Sequence, residues 1–156
     1  KPVLVPLVRS GLIMADAMRS VIQTPFMGHL GVFDDNSGDQ AQTRAFMATM
    51  PDEYHQRQVI LVDLFIDRGR TANHALRLVR QMGVPPKYTS FVCLIASEEG
   101  LSLIHEEPLM NEVTFVCARH DTGENRWLPS YQRTNERLYR TRNRLPQNRQ
   151  KDEKDV

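Results

Sequence analysis

Short apolar runs that alternate with helical patterns constrain the fold of this sequence more than any other feature. Within each run the apolar residues follow one another without interruption, which is typical of a strand buried on both faces. Between the runs, apolar residues recur at helical spacing, as in "TANHALRLVRQMG". The predicted strands lie near residues 3–8, 28–33, 59–65, 90–96 and 113–118. We therefore expect an α/β fold with a doubly wound, mostly parallel, Rossmann-like sheet and helices on both of its faces.

The length and composition set further bounds. With 156 residues, of which 40% are hydrophobic and 25% charged, the chain has the size and composition of a soluble domain with one core. No apolar run approaches the ~20 residues that span a bilayer, and we recognise no signal or transit segment, so we expect an intracellular protein of the cytoplasm or the mitochondrial matrix with no membrane partner. Residues 34–45 are polar and rich in Gly, Asn and Asp, which predicts a long loop or a β-arm.

The cysteines predict neither a disulfide nor a metal site. Cys93 and Cys117 lie inside the apolar runs "FVCLIA" and "VTFVCA", and we expect both thiols to be buried and reduced in neighbouring strands. The five histidines and two cysteines show no zinc-ligand spacing, so no metal site is expected.

Three predicted strand ends carry residues that suit a phosphate ligand. In open α/β sheets, ligands bind at the carboxyl ends of the strands. Arg9 and Gly11 follow the first strand, Asp63 and the loop 67–71 follow the third, and the Arg-His-Asp sequence at 119–121 follows the last. A Gly-containing turn before a helix offers backbone N–H groups to phosphate, and an Asp at a strand end can hold ribose hydroxyls or Mg²⁺.

Together and in this order, these segments resemble the uracil phosphoribosyltransferase family. "VPLVRSGLIMADAM" is similar to that family's V-P-I-L-R-A-G-L-G-M-x-D-G-M, and "GHLGVFDD" is similar to G-H-I-G-L-Y-R-D. "MPDEYHQRQVILVD" resembles L-P-E-D-I-x-x-R-x-V-I-V-V-D, "FVCLIASEEGL" resembles F-V-C-L-V-A-A-P-E-G-I, and "LPSYQRTNERLYRT" resembles V-P-G-L-G-D-A-G-D-R-L-F-G-T. The resemblance predicts a phosphoribosyltransferase-like domain over residues 1–141 and a polar tail with basic and acidic residues over 142–156. It also implies that an N-terminal part of the family domain is absent here.

The resemblance implies an activity and a set of site residues. Enzymes of the family join uracil to phosphoribosyl pyrophosphate (PRPP), which gives UMP and pyrophosphate. Arg9 and Gly11 would sit at the pyrophosphate, Asp63 at the ribose, and Gly69 and Thr71 at the 5′-phosphate. Main-chain contacts of a loop would hold the uracil, and the remnant of that loop here is Trp127, Leu128, Pro129 and Ser130.

The phosphate loop departs from the family's pattern. Where the family reads A-T-G-G-S, this chain has Asp67, Arg68, Gly69, Arg70 and Thr71. A carboxylate within ~4 Å of a phosphate costs about 1 kcal/mol in water and several when partly buried. Arg70 also replaces the second Gly, which lets the phosphate approach the backbone closely. The resemblance therefore predicts a degenerate phosphate loop.

Two further departures reverse the sign of a charge. Asp34 stands where the family has an Arg that would contact pyrophosphate, and Arg133 stands where an Asp would help to organise Mg²⁺ and PRPP. Catalysis of this transfer depends mostly on the positioning of charge. The apolar pattern of the strands is intact although the site is altered, which is typical of a fold retained without its chemistry.

We therefore expect a catalytically inactive domain that works as a structural or binding subunit of a larger assembly, such as a ribonucleoprotein. Its partners would be other protein subunits, and no cofactor is expected. The alternative is an active uracil phosphoribosyltransferase of pyrimidine salvage that uses Mg²⁺ and PRPP. An intermediate hypothesis is a regulatory nucleotide or phosphate ligand bound by Arg68 and Arg70.

The C-terminal segment is rich in arginine, which makes RNA a candidate partner. Three of its arginines share a helix face if the segment is helical, and a fourth extends the stripe by one turn. Such a stripe can neutralise several phosphates, although a solvated tail explains the same composition equally well. The four residues are Arg133, Arg137, Arg140 and Arg144.

Overall fold

The structure is a computed structural model that describes residues 1–23, 25–35 and 42–122. No helix in these ranges is long and apolar enough to cross a membrane. The strands are β1 (Val3–Val8), β2 (Phe26–Met27), β3 (His29–Asp35), β4 (Gln42–Thr49), β5 (Val59–Val62), β6 (Phe65–Ile66), β7 (Thr89–Ser97) and β8 (Thr114–Asp121). The α-helices are α1 (Gly11–Val21), α2 (Arg70–Gln81) and α3 (Glu98–His105), and short 3₁₀ turns lie at Tyr54–Gln56, Pro86–Tyr88 and Pro108–Glu112.

These strands form one mostly parallel sheet, as the sequence predicted. Its order is β4-β3-β1-β5-β7-β8. The short strand β2 pairs with β1 ahead of β3, and β6 pairs with β7 beyond the end of β5. Every pairing is parallel except that of β3 with β4. The carboxyl ends of β1, β6, β7 and β8 therefore lie at the same edge.

Helices cover both faces of this sheet, which confirms the doubly wound prediction. Successive residues of a strand point to opposite faces, and those of β1 contribute to two separate clusters. Val3 and Val5 belong to the larger cluster, which includes Ala75 and Val79 of α2 and Ile104 of α3, whereas Leu4 packs in a second cluster with Ala15 of α1. Helices α2 and α3 thus pack on one face and α1 packs on the other.

The segment predicted as a long loop or a β-arm forms a β-arm. Strands β3 and β4 pair antiparallel, with a register shift between Gly31 and Val32. The residues between these strands, 36–41, lie outside the described residues. Most of β4 is exposed, so it lacks the apolar run by which the other strands were recognised.

The prediction that both thiols are reduced and lie in neighbouring strands is confirmed, whereas the prediction that both are buried is right for Cys93 and wrong for Cys117. Cys93 and Cys117 are both free and lie side by side in the pairing of β7 with β8. Cys93 is buried, and this burial raises the pKa of its thiol to about 12. Cys117 is exposed and lies on β8, the outermost strand on its side among the described residues. On the same strand Phe115 stacks on Phe91 with 6.0 Å between the ring centroids.

Candidate functional site

The first loop and the end of β5 meet at the carboxyl edge of the sheet, as the sequence predicted. A Cβ atom on Gly11 would overlap the carbonyl oxygen of Val62, so only glycine lets the start of α1 approach β5 this closely. Ser10, which precedes Gly11, is buried, and its hydroxyl donates a hydrogen bond to the carboxylate of Asp63. Arg9 lies exposed beside them. This contact joins the predicted pyrophosphate segment to the predicted ribose residue.

Asp63 is a buried carboxylate whose hydrogen bonds come from the protein itself. Its Oδ1 accepts a hydrogen bond from the backbone N–H of Leu64 at 2.7 Å as well as the one from Ser10. Burial raises the pKa of Asp63 from 3.8 to about 6, against the lowering effect of these two hydrogen bonds. The carboxylate is therefore costly to ionise in the folded chain.

Ionisation of Asp63 should make the stability of the domain fall as the pH rises. Between its unfolded pKa of 3.8 and its folded pKa of about 6, the native state holds a proton that the unfolded state has lost. We expect the urea-unfolding free energy of the natural chain to fall relative to Asp63→Asn by up to about 3 kcal/mol between pH 4 and pH 7. The exposed Asp16 on α1 gives a matched control, because Asp16→Asn keeps the buried Asp63 and its stability should fall with pH as that of the natural chain does. A constant difference between the chain and Asp63→Asn across this range would contradict the burial argument.

The loop before α2 is fixed by the start of α3. Gly69 caps α2 with φ of 74°, and a Cβ atom on it would overlap the carbonyl oxygen of Gly100. The hydroxyl of Ser97 donates to the carbonyl of Asp67 and accepts a hydrogen bond from the N–H of Gly100 at 2.8 Å. Sequence reasoning did not assign Ser97 or Gly100 to the site. The signal was present, because a Ser followed by Glu98 and Glu99 is a helix N-cap pattern.

Carboxylates surround the same loop. The pKa of the Asp67 carboxyl is raised, first by burial and then by the negative charges of Glu99 and Asp121, while Arg68 lowers it. Asp121, the last residue of β8, is buried, and its neighbour His120 contacts Glu98 at 2.8 Å. The third predicted strand end therefore reaches the loop and brings negative charge to it.

Two altered positions of the predicted site are in contact. The guanidinium Nε of Arg70 lies 3.7 Å from Oδ2 of Asp34, and the hydroxyl of Thr43 donates to Oδ1 of the same carboxylate at 2.7 Å. Arg70 is the first residue of α2, Asp34 lies on β3 and Thr43 lies on β4. One carboxylate thus connects the β-arm to the start of the helix.

Comparison with known proteins identifies the family. The family model described as uracil phosphoribosyltransferase matches residues 1–141. The chain belongs to the uracil phosphoribosyltransferase family. The uracil phosphoribosyltransferase of Malacoplasma penetrans is 33% identical over 106 residues, which make up 68% of this chain and 50% of the relative. The chain therefore spans about half the length of this curated relative.

Solved structures share the phosphoribosyltransferase fold. The AQ2163 protein of Aquifex aeolicus matches 88% of this chain and 64% of its own length with a TM-score of 0.70 and 23% identity. The purine phosphoribosyltransferase of Pyrococcus horikoshii Ot3 matches 79% of both chains with a TM-score of 0.56 and 17% identity. At these identities the likeness shows the fold alone.

Several predicted residues of the uracil phosphoribosyltransferase site lie outside the described residues. Within the described ranges, no group of three or more His, Cys, Asp or Glu side chains is arranged to hold a metal ion. Thr71 is in the first turn of α2, next to Arg70. The uracil-loop remnant (Trp127, Leu128, Pro129, Ser130) and the arginines Arg133, Arg137, Arg140 and Arg144 fall beyond residue 122, where nothing is described.

Proposed function

We propose that this uracil phosphoribosyltransferase-family domain does not transfer phosphoribosyl groups and acts by binding, as a subunit of a larger assembly. The observation that carries the proposal is the contact between Asp34 and Arg70. Family resemblance assigns the first position to an arginine that contacts pyrophosphate and the second to a glycine that admits the 5′-phosphate. In this chain the two positions carry opposite charges and bind each other.

The contact between Ser10 and Asp63 supports the same conclusion. The resemblance assigns the carboxylate of Asp63 to the ribose of PRPP. Here Oδ1 of that carboxylate already accepts hydrogen bonds from the Ser10 hydroxyl and from the N–H of Leu64. A substrate hydroxyl that bound this oxygen would compete with donors already in place, so a hydrogen bond there would add little to substrate binding.

Charge also opposes the binding of a polyphosphate. Burial raises the pKa of Asp67, and the negative charges of Glu99 and Asp121 add to this effect, so the loop already carries unfavourable negative charge. Each like-charge pair at ~4 Å costs about 1 kcal/mol in water and about 4 kcal/mol near a protein surface. Arg68 and Arg70 offset part of this cost, but Arg70 already has a carboxylate partner.

The second candidate is an active uracil phosphoribosyltransferase that makes UMP and pyrophosphate from uracil and PRPP with Mg²⁺. The comparisons favour it, since the curated relative from Malacoplasma penetrans bears the name of that enzyme. The chain also retains Arg9, Gly11, Asp63, Gly69 and Thr71. The local geometry favours the first candidate and the names of the relatives favour the second. Uracil-dependent release of pyrophosphate from PRPP separates the two, since only the second candidate produces it.

The arginine-rich C-terminal segment suggests an anionic partner for the non-catalytic domain. The local charge from Arg133 to Arg149 is positive, which suits RNA within a ribonucleoprotein or an acidic surface of another subunit. We expect a gel-shift with RNA to show salt-dependent binding by the intact chain and weaker binding by a chain truncated after Leu128. Equal affinity of the two chains, or affinity that does not change between ~50 and 200 mM salt, would leave the solvated-tail explanation.

A further inference from the structure

We infer that Asp34, Thr43 and Arg70 form a clasp that holds the β-arm of β3 and β4 against the start of α2 without any ligand. Both oxygens of the Asp34 carboxylate are used: Oδ1 accepts the hydrogen bond from Thr43 at 2.7 Å and Oδ2 lies 3.7 Å from Nε of Arg70. Helix α2 packs against both strands of the arm. The two paired strands of the arm and the start of α2 are therefore joined through one side chain.

The electrostatics of α2 explain why Arg70 needs this partner. The N-terminus of a helix carries a partial positive charge, so an arginine at the first helical position is unfavourable unless an anion lies beside it. In a phosphate-binding loop that anion is the ligand. In this chain Asp34, on the β-arm, supplies the negative charge, so Arg70 does not depend on a ligand for a partner.

The ion pair of Arg70 and Asp34 is partly buried. The side chain of Arg70 is 35% exposed and that of Asp34 is 30% exposed. Water therefore screens the pair only in part, and its loss should loosen the arm without unfolding the domain. The clasp adds a structural role to the proposed function. It rests on that proposal in one respect, because a substrate anion bound at this loop would have to separate Asp34 from Arg70.

Hydrogen exchange of the β4 amides tests the clasp. Asp34→Asn keeps an oxygen for Thr43 but removes the charge, and Arg70→Gln removes the opposite charge. In either variant we expect the amides of residues 42–49 to exchange about two to five times faster than in the natural chain. The double variant Asp34→Arg with Arg70→Asp reverses the ion pair but removes the acceptor for Thr43, so it should return the exchange rates only part of the way to those of the natural chain.

Arg77→Gln is a matched control on the same helix. It removes a contact of 2.9 Å between Arg77 and Glu107, which lies about two turns along α2 from Arg70, and should leave exchange in β4 unchanged. Unchanged β4 exchange in Asp34→Asn and Arg70→Gln, or equal acceleration in Arg77→Gln, would overturn the clasp. This failure is distinct from failure of the proposed function, because enzymatic turnover by the natural chain would end that proposal whatever the exchange rates are.

Discussion

Gly69→Ala is expected to lower the free energy of unfolding by about 4 kcal/mol, because two costs add at this position. The residue has φ of 74°, a left-handed conformation that costs an L-amino acid about 1–2 kcal/mol. A Cβ atom there would also overlap the carbonyl oxygen of Gly100, and relief of such overpacking costs about 1–3 kcal/mol. Urea denaturation of the variant and the natural chain at one pH measures the sum.

Gly83→Ala separates these two costs. Gly83 also has a positive φ, 91°, but a Cβ atom on it would meet only the side chain of His55, with Nδ1 at 3.3 Å. We expect this variant to lose only the conformational part, about 1–2 kcal/mol. If Gly69→Ala and Gly83→Ala lower the free energy of unfolding equally, the loop before α2 is not in close contact with α3. Gly100 and Ser97 would then not fix the position of this loop.

The sequence predicts the strands of the core because their burial leaves a pattern. Val59–Val62 and Thr89–Ser97 are recognisable as short runs bounded by polar residues. Gln42–Thr49 leaves no such pattern, because it is held by backbone hydrogen bonds to β3 while most of its side chains face solvent. The run around Cys117 looks like a buried strand in the sequence, but burial depends on which elements cover the strand, and that information is not local.

The candidate site could be predicted in position but not in its internal contacts. Gly11, Asp63 and Gly69 are predictable because glycines and acids at strand ends have few structural roles other than close approach and ligand binding. The contact of Asp34 with Arg70 depends on how the β-arm packs against α2, which no local pattern reveals. The sequence therefore shows these residues as departures from the family pattern, but only the structure shows that they contact each other.

The absence of catalysis is the prediction with the largest expected effect. Removal of one group that stabilises a transition-state charge lowers turnover by about 10²–10³-fold. The family resemblance implies that Asp34 and Arg133 each reverse a charge and that Asp67, Arg68 and Arg70 alter the phosphate loop. One such loss alone predicts turnover about 10²–10³-fold below the about 1 s⁻¹ that is the low end for working enzymes, and the further losses need not multiply this factor. Restoration of one position should recover nothing, because groups that act as a unit are not additive.

Uracil-dependent release of pyrophosphate from PRPP and Mg²⁺ is the measurement that tests this account most directly. The uracil phosphoribosyltransferase of Malacoplasma penetrans, assayed in parallel, shows that the conditions support the reaction. Samples without uracil correct for the spontaneous breakdown of PRPP. We expect no release above that background by the natural chain or by the single reversions Asp34→Arg and Arg70→Gly. Turnover by the natural chain near about 1 s⁻¹ would contradict this expectation and establish the enzyme as the function.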